Sequence, residues 1–166
     1  MTDTALTTWR GHRLRRFHAN CWLADRHQSL ADHSWGVTAL IVMLHPRPST
    51  TLLAYALMHD AGEHAAGDVP YPAKMASEAL RAAVTAVEAQ ALADLLPDWM
   101  SSLRPSEEDR RWIKMADGLE AILWAAHHGA LARGEGWSEQ IDAVKSLAKV
   151  LGVSVRVAKL IKEAQA

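Results

Sequence analysis

The stretch Leu52–Lys74, LLAYALMHDAGEHAAGDVPYPAK, limits the fold of this chain more than any other segment. Leu52, Leu53, Ala56 and Leu57 recur at three- and four-residue spacing, which predicts a buried helix. His59 and Asp60 then stand side by side where that apolar stripe continues. Burying either group alone costs several kcal/mol, so the helix needs neighbours that bring partners for them. Glu63 follows one turn later on the same side. After Gly67 the helical pattern stops, and Asp68, Pro70, Pro72 and Lys74 predict a rigid, charged turn.

Two further helices carry the same anomaly. Ser29 and Asp32 have the spacing of a capping box and open a helix to about His45, stopped by Pro46 and Pro48. Its stripe reads Leu30, His33, Val37, Leu40/Ile41 and Leu44, with an imidazole where a core residue belongs. Ser106 and Asp109 open a long helix to about Arg133, closed by Gly134 and Gly136. On it Ile113, Asp117, Ala121 and Trp124 share a line, so a carboxylate replaces an apolar residue. Other helices are predicted at Ser77–Leu96, Ser138–Leu151 and Ser154–Ala164, with a solvated one within the basic segment Met1–Arg16. Nothing alternates with a strand period, and no repeat or long linker intervenes. The expectation is an all-α fold, a single domain over 1–166 with about six or seven helices.

Composition narrows the function classes. A chain of 166 residues, 49% hydrophobic and 22% charged, can bury a substantial core. Its net charge of −1 supplies no general attraction to nucleic acid or to an anionic membrane. Cys21 is the only cysteine, which excludes a disulfide framework and suits a reducing compartment. No apolar run reaches the length of a membrane span, and the N-terminus lacks a signal-peptide core. The expected location is the cytoplasm, that of the host if the chain is phage-encoded.

Any one of these buried polar residues is most simply satisfied locally. Together, His33, His59, Asp60 and Asp117 compose the inner sphere of one divalent cation, which offsets the burial of two carboxylates. Mixed nitrogen and oxygen donors suit Zn, Co, Mn, Ni or Fe equally.

The blocks ADHSWGV at 31–37, HDAGEHAAGDVPYPAK at 59–74 and IKMADGLEA at 113–121 extend this pattern. They resemble the HD-domain metal phosphohydrolases, in particular the YfbR-like 5′-deoxynucleotidases and compact phage relatives that include dATP triphosphohydrolases. The similarity covers roughly residues 14–128. It implies His33, His59, Asp60 and Asp117 as metal ligands, Glu63 and Asp68 as acids near the reacting water, and Arg16 and Lys74 as cations near the phosphate. It also implies a homo-oligomer and hydrolysis of the ester between a deoxynucleoside 5′-oxygen and its phosphate.

The residues fit that chemistry. Glu63 is placed to orient or deprotonate a water activated by the metal. Asp68 either protonates the leaving 5′-oxygen or forms the turn after Gly67. Phe17, His18 and Trp22 are flat surfaces near the pocket; Phe17 reads better as core, and Trp22 as a base platform. Trp35 and Trp124 read as core. Pro70 and Pro72 stiffen a wall that would crowd a ribose 2′-hydroxyl. His64, His45, His127 and His128 have no spacing that suggests a second metal, so one centre is expected, with further Mg or Mn only on the substrate phosphates.

The favoured substrate is a purine deoxynucleotide, dATP first. Arg16, Lys74 and Lys114 exceed the charge that one phosphate needs, and stacking on Trp22 favours a large base. The alternatives are a 5′-deoxynucleotidase restricted to monophosphates, a guanosine-tetraphosphate hydrolase sharing HD-x-x-E, and a non-catalytic nucleotide-sensing module. His64 stands where the tetraphosphate hydrolases carry an acid, and Glu63 with Asp68 is superfluous in a pure sensor.

Overall fold

The helix signals reappear in the computed structural model, which describes residues 3–101, 104–132 and 137–165. In chain order the helices are α1 (Thr4–Gly11), α2 (Leu30–Leu44), α3 (Thr50–Met58), α4 (Glu63–Ala66), α5 (Tyr71–Ala76), α6 (Glu78–Leu95), α7 (Asp98–Ser101), α8 (Glu107–His127), α9 (Trp137–Val150) and α10 (Ser154–Ala164). The predicted helices all appear; α4, α5 and α7 are short additions beside the glycines and prolines that interrupt the longer patterns. Among the described residues no strand forms, and Arg15 and Ser29 make one isolated antiparallel bridge. The fold is all-α.

Caps set the boundaries. The Ser29 amide donates to Asp32 Oδ2 at 3.0 Å and the Asp32 amide to Ser29 Oγ at 3.1 Å, which starts α2. Ser106 and Asp109 do the same for α8, and Ser77 caps α6. Two ends fall earlier than the sequence predicts. α8 stops at His127 because Gly129 turns left-handed (φ +68°) and the Ala130 amide returns to the Ala125 carbonyl at 2.8 Å. The predicted stop at Gly134 and Gly136 lies outside the described residues. α3 ends at Met58 because the Ala61 amide bonds the Met58 carbonyl and the Glu63 amide bonds the Asp60 carbonyl, both at 2.9 Å. His59 and Asp60 therefore lie on a tight turn after the helix.

The described residues group into two compact units, 3–34 with 58–101, and 35–57 with 104–132 and 137–165. In the first unit α1, α4 and α5 pack against α6, and Leu23, Leu30, Ala61, Val84, Ala91 and Leu95 are buried. In the second, α8 packs against α9 and α10. Gly118 allows the closest approach, since a Cβ there would sit 2.6 Å from Val144 Cγ2. Arg156 of α10 donates to the Met43 carbonyl at 2.7 Å, covering an open carbonyl at the end of α2.

Three burial expectations need correction. Trp35 is 72% exposed rather than core, because it lies about 200° round α2 from buried His33. Leu57 is half-exposed at the end of α3. The buried face of α8 runs through Trp112, Met115, Ala116, Leu119 and Ile122, which leaves Ile113, Asp117 and Trp124 half-buried along its edge. No helix among the described residues is long and apolar enough to cross a membrane.

Candidate active site

The first turn of α2 is fixed from outside as well as by its cap. The Leu30 amide donates to the Leu14 carbonyl and the Ala31 amide to the His12 carbonyl, both at 3.0 Å. Two orphan donors are thereby satisfied, and the segment before Arg16 is laid on the helix end that carries His33. His33 is fully buried. Its Nε2 lies 3.4 Å from Asp60 Oδ2, and His59 Nε2 lies 3.2 Å from the same oxygen. One ligand atom from each of the three residues lies within 4.8 Å of the others. Donors bonded to one zinc-sized cation at about 2.0–2.2 Å sit about 3–3.5 Å apart, so the two distances to Asp60 Oδ2 fit a shared ion. Burial pushes the Asp60 carboxyl up, but the two imidazoles outweigh it and hold it well below the usual carboxylate range. An ionised carboxylate beside two nitrogen donors is a suitable set for a divalent metal.

Glu63 enters through the turn that follows. Gly62 packs so tightly on α6 that a Cβ there would overlap the Glu88 carbonyl oxygen. Only a glycine lets the turn rest on that backbone. Glu63 Oε2 is buried with no hydrogen-bond partner among the described residues. Burial raises the Glu63 pKa to about 8, the charges of Asp60 and Asp68 add to the shift, and Arg16 and Lys74 oppose it. Nearby positive charge would return this carboxyl toward its ionised form.

The remaining predicted residues of the first unit fall on two strips of backbone. Asp68 Oδ2 accepts the Phe17 amide at 2.8 Å and lies 3.6 Å from His18 Nδ1. Phe17 itself is half-buried with φ +59°, a left-handed conformation uncommon outside glycine. The Arg16 amide bonds the Gln28 carbonyl at 2.9 Å, and its guanidinium reaches Gln28 Oε1 at 3.3 Å and covers the Phe17 ring. Trp22 is 43% exposed, with its amide on Asn20 Oδ1 at 2.9 Å. Pro72 is exposed in the first turn of α5, whose last turn carries Lys74. Lys74 Nζ donates to Glu88 Oε1 at 3.1 Å. Gln28 and Glu88 were not anticipated. Gln28 reads as the end of an irregular segment, and Glu88 as one more polar position on an alanine-rich helix.

Asp117 belongs to the second unit, half-buried on α8. His45 stacks on Trp112 at 4.6 Å between ring centroids, and His127 and His128 pack against each other at 4.9 Å. His64 Nδ1 is 3.0 Å from the Ala61 carbonyl. Among the described residues, only His33, His59 and Asp60 assemble with metal-ligand spacing.

A family profile described as 5′-deoxynucleotidase YfbR-like matches residues 19–149, a span that includes all three donors. The chain belongs to the YfbR-like 5′-deoxynucleotidase family. As a member it is a nucleotide phosphohydrolase, and its family implies the divalent metal that the His33–His59–Asp60 set fits. The fold agrees with solved structures. A conserved hypothetical protein from Pyrococcus furiosus is 25% identical, with 98% of each chain covered and a TM-score of 0.68. A crystal structure of a Pyrococcus horikoshii OT3 protein is 23% identical, covering 96% of this chain and 99% of the other, with a TM-score of 0.70. No functionally curated protein matches the chain significantly.

Proposed function

We propose that this YfbR-like protein hydrolyses the ester between the 5′-oxygen and the phosphate of 2′-deoxynucleotides. The observation that carries the reading is the close His33–His59–Asp60 donor set, with the buried Glu63 Oε2 one turn away. A bound divalent cation supplies Lewis acidity toward a phosphoryl oxygen and eases ionisation of water. Zn, Co, Mn, Ni and Fe all suit the donors, and Asp117 is proposed as a further ligand, on the strength of the sequence resemblance alone. Glu63, in its ionised form, takes the proton of the attacking water. The new bond joins the water oxygen to phosphorus, the bond from phosphorus to the 5′-oxygen breaks, and the proton taken by Glu63 passes by way of the Asp68 carboxylate to the leaving oxygen. Arg16 and Lys74 counter the phosphate charge. Trp22 offers the base a face, His18 and Phe17 edge the pocket, and Pro72 stiffens the wall facing the sugar.

Phosphate number divides two readings. The triphosphate expectation rests on surplus positive charge, and Lys74 already shares its charge with Glu88, which favours a single phosphate. Arg10, Arg13 and Arg15 are exposed on the first unit, and a triphosphate such as dATP is the second reading, in which they face the mouth of the site and add to its charge. Either acts on a small-molecule deoxynucleotide, and a homo-oligomer of single-domain chains is proposed with it. The test is a panel of dNMPs, dNDPs and dNTPs with manganese or cobalt, detecting phosphate and triphosphate separately. Deoxynucleoside should appear as the first product. dADP released first from dATP would exclude attack at the phosphorus bonded to the 5′-oxygen.

A further inference from the structure

Glu88 lies in the middle of α6, far in sequence from every residue that the motif suggests. Two contacts single it out. Its backbone carbonyl occupies the place that a side chain on Gly62 would fill, between the His59–Asp60 pair and Glu63. Its carboxylate holds the Lys74 ammonium at 3.1 Å, with the two side chains only 22% and 23% exposed. One residue thus touches both the turn that carries the acid and the cation assigned to the phosphate.

We propose that Glu88 is a positioning residue that sets where the Lys74 ammonium stands relative to the substrate phosphate. This rests on the phosphohydrolase reading above. The six-residue α5, which opens with Pro70 as its cap and Pro72 in its first turn, is too short to be stable alone. Its packing against α6 and the Lys74–Glu88 pair hold it instead. An ammonium has three donors, and an acceptor at one of them leaves two for phosphate oxygens while restricting the long side chain. Partial burial matters here. A fully exposed pair would be screened by salt and contribute little, whereas this one is largely withdrawn from solvent. Because the Glu88 backbone also bears on Gly62, a shift of α6 that carried Lys74 away would strike the catalytic turn.

Lys74 binds charge that the phosphate carries both before and during reaction, so misplacing it should raise KM more than it lowers kcat. In the metal-loaded protein, Glu88→Gln should raise KM for the deoxynucleotide by about fivefold or more, with kcat within about twofold. The decisive comparison is a cycle with Lys74→Met. Without its lysine Glu88 has nothing to place, so Glu88→Gln should add no further rise in KM. A general loss of stability would instead act in both backgrounds. An unchanged KM in Glu88→Gln, or effects that multiply in the double variant, would overturn the assignment. Acetylation of Lys74 by acetic anhydride, followed by mass spectrometry, gives a readout independent of turnover. The lysine should react several-fold faster in Glu88→Gln, and equal rates would overturn the placement. If the wild type cleaves no deoxynucleotide, the phosphohydrolase reading fails, and the acetylation rates still decide whether Glu88 holds Lys74.

Discussion

The Phe17 amide is bound to Asp68 Oδ2 at 2.8 Å across 51 residues of chain. That hydrogen bond fastens the Arg16–Phe17 segment to the turn before α5 and holds Phe17 in its left-handed conformation. A strained backbone position costs about 1–3 kcal/mol, and a hydrogen bond to a charged group contributes about 1.5–3 kcal/mol, so the tether is strong enough to hold it. Asp68→Ala should therefore release Arg16 as well as remove the group that passes the proton to the leaving oxygen, and lower kcat/KM by about tenfold or more. Steady-state kinetics check this, and the Phe17 amide resonance should move. Wild-type kinetics with a displaced resonance would leave the tether without a functional role.

His59→Ala and Asp117→Ala should each abolish stoichiometric metal binding and turnover. Elemental analysis after dialysis measures the first, and a product assay the second. Full metal content and activity in Asp117→Ala would reduce the ligand set to the three residues gathered in the first unit.

Glu63→Gln should retain the metal and lose about 10²–10⁴-fold in kcat, the usual worth of a positioned general base. Near-normal kcat with bound metal would make Glu63 a structural residue.

The raised pKa of Glu63 also predicts a pH effect on the chelator-treated protein. Its carboxyl is raised from 4.5 to about 8, first by burial and then by Asp60 and Asp68. The folded state therefore binds the proton more tightly than the unfolded state does, and the contribution is fully present below about pH 4.5. It is lost as pH rises through about 8. Glu63→Gln lacks that loss. The Tm of the wild type should fall relative to the variant between pH 5 and pH 9. A constant difference over that range would refute the assignment.

Gly62→Ala places a methyl group against the Glu88 carbonyl, which as backbone cannot swing aside. Overpacking of this kind costs about 1–3 kcal/mol, readable as a fall in the denaturation midpoint. Activity should fall with it, because Asp60 and Glu63 flank the displaced residue. An alanine variant as stable as wild type would show that the turn has room to move.

Much of the site was legible because burial and polarity conflict within a periodic pattern. His33 interrupts the stripe from Leu30 to Leu44, and it is buried as that stripe requires. The caps at Ser29 and Ser106 were legible because both partners lie within four residues. Glu88 was not, since its partner Lys74 lies 14 residues away and neither position breaks a local pattern. Nor was the left-handed Phe17, whose conformation accompanies a contact 51 residues distant. Trp35 departs from its pattern, since a large aromatic on an apolar helix suggests core, whereas helical geometry turns it away from His33. The apolar pattern past His127 suggests a longer helix, but the left-handed Gly129 ends α8 first.

The first unit is interrupted in the chain by residues 35–57. Synthesis at about 5–20 residues per second means that 3–34 emerge seconds before 58–101. Leu23, Leu30 and His33 must wait on the nascent chain for the segment that brings Asp60, Asp68 and α6. The first unit can therefore close only after translation has passed this interval, so the yield of folded protein from synonymous slow codons at 35–57 should differ from that of the fast-codon gene, and equal yields would show that the early segment waits without loss.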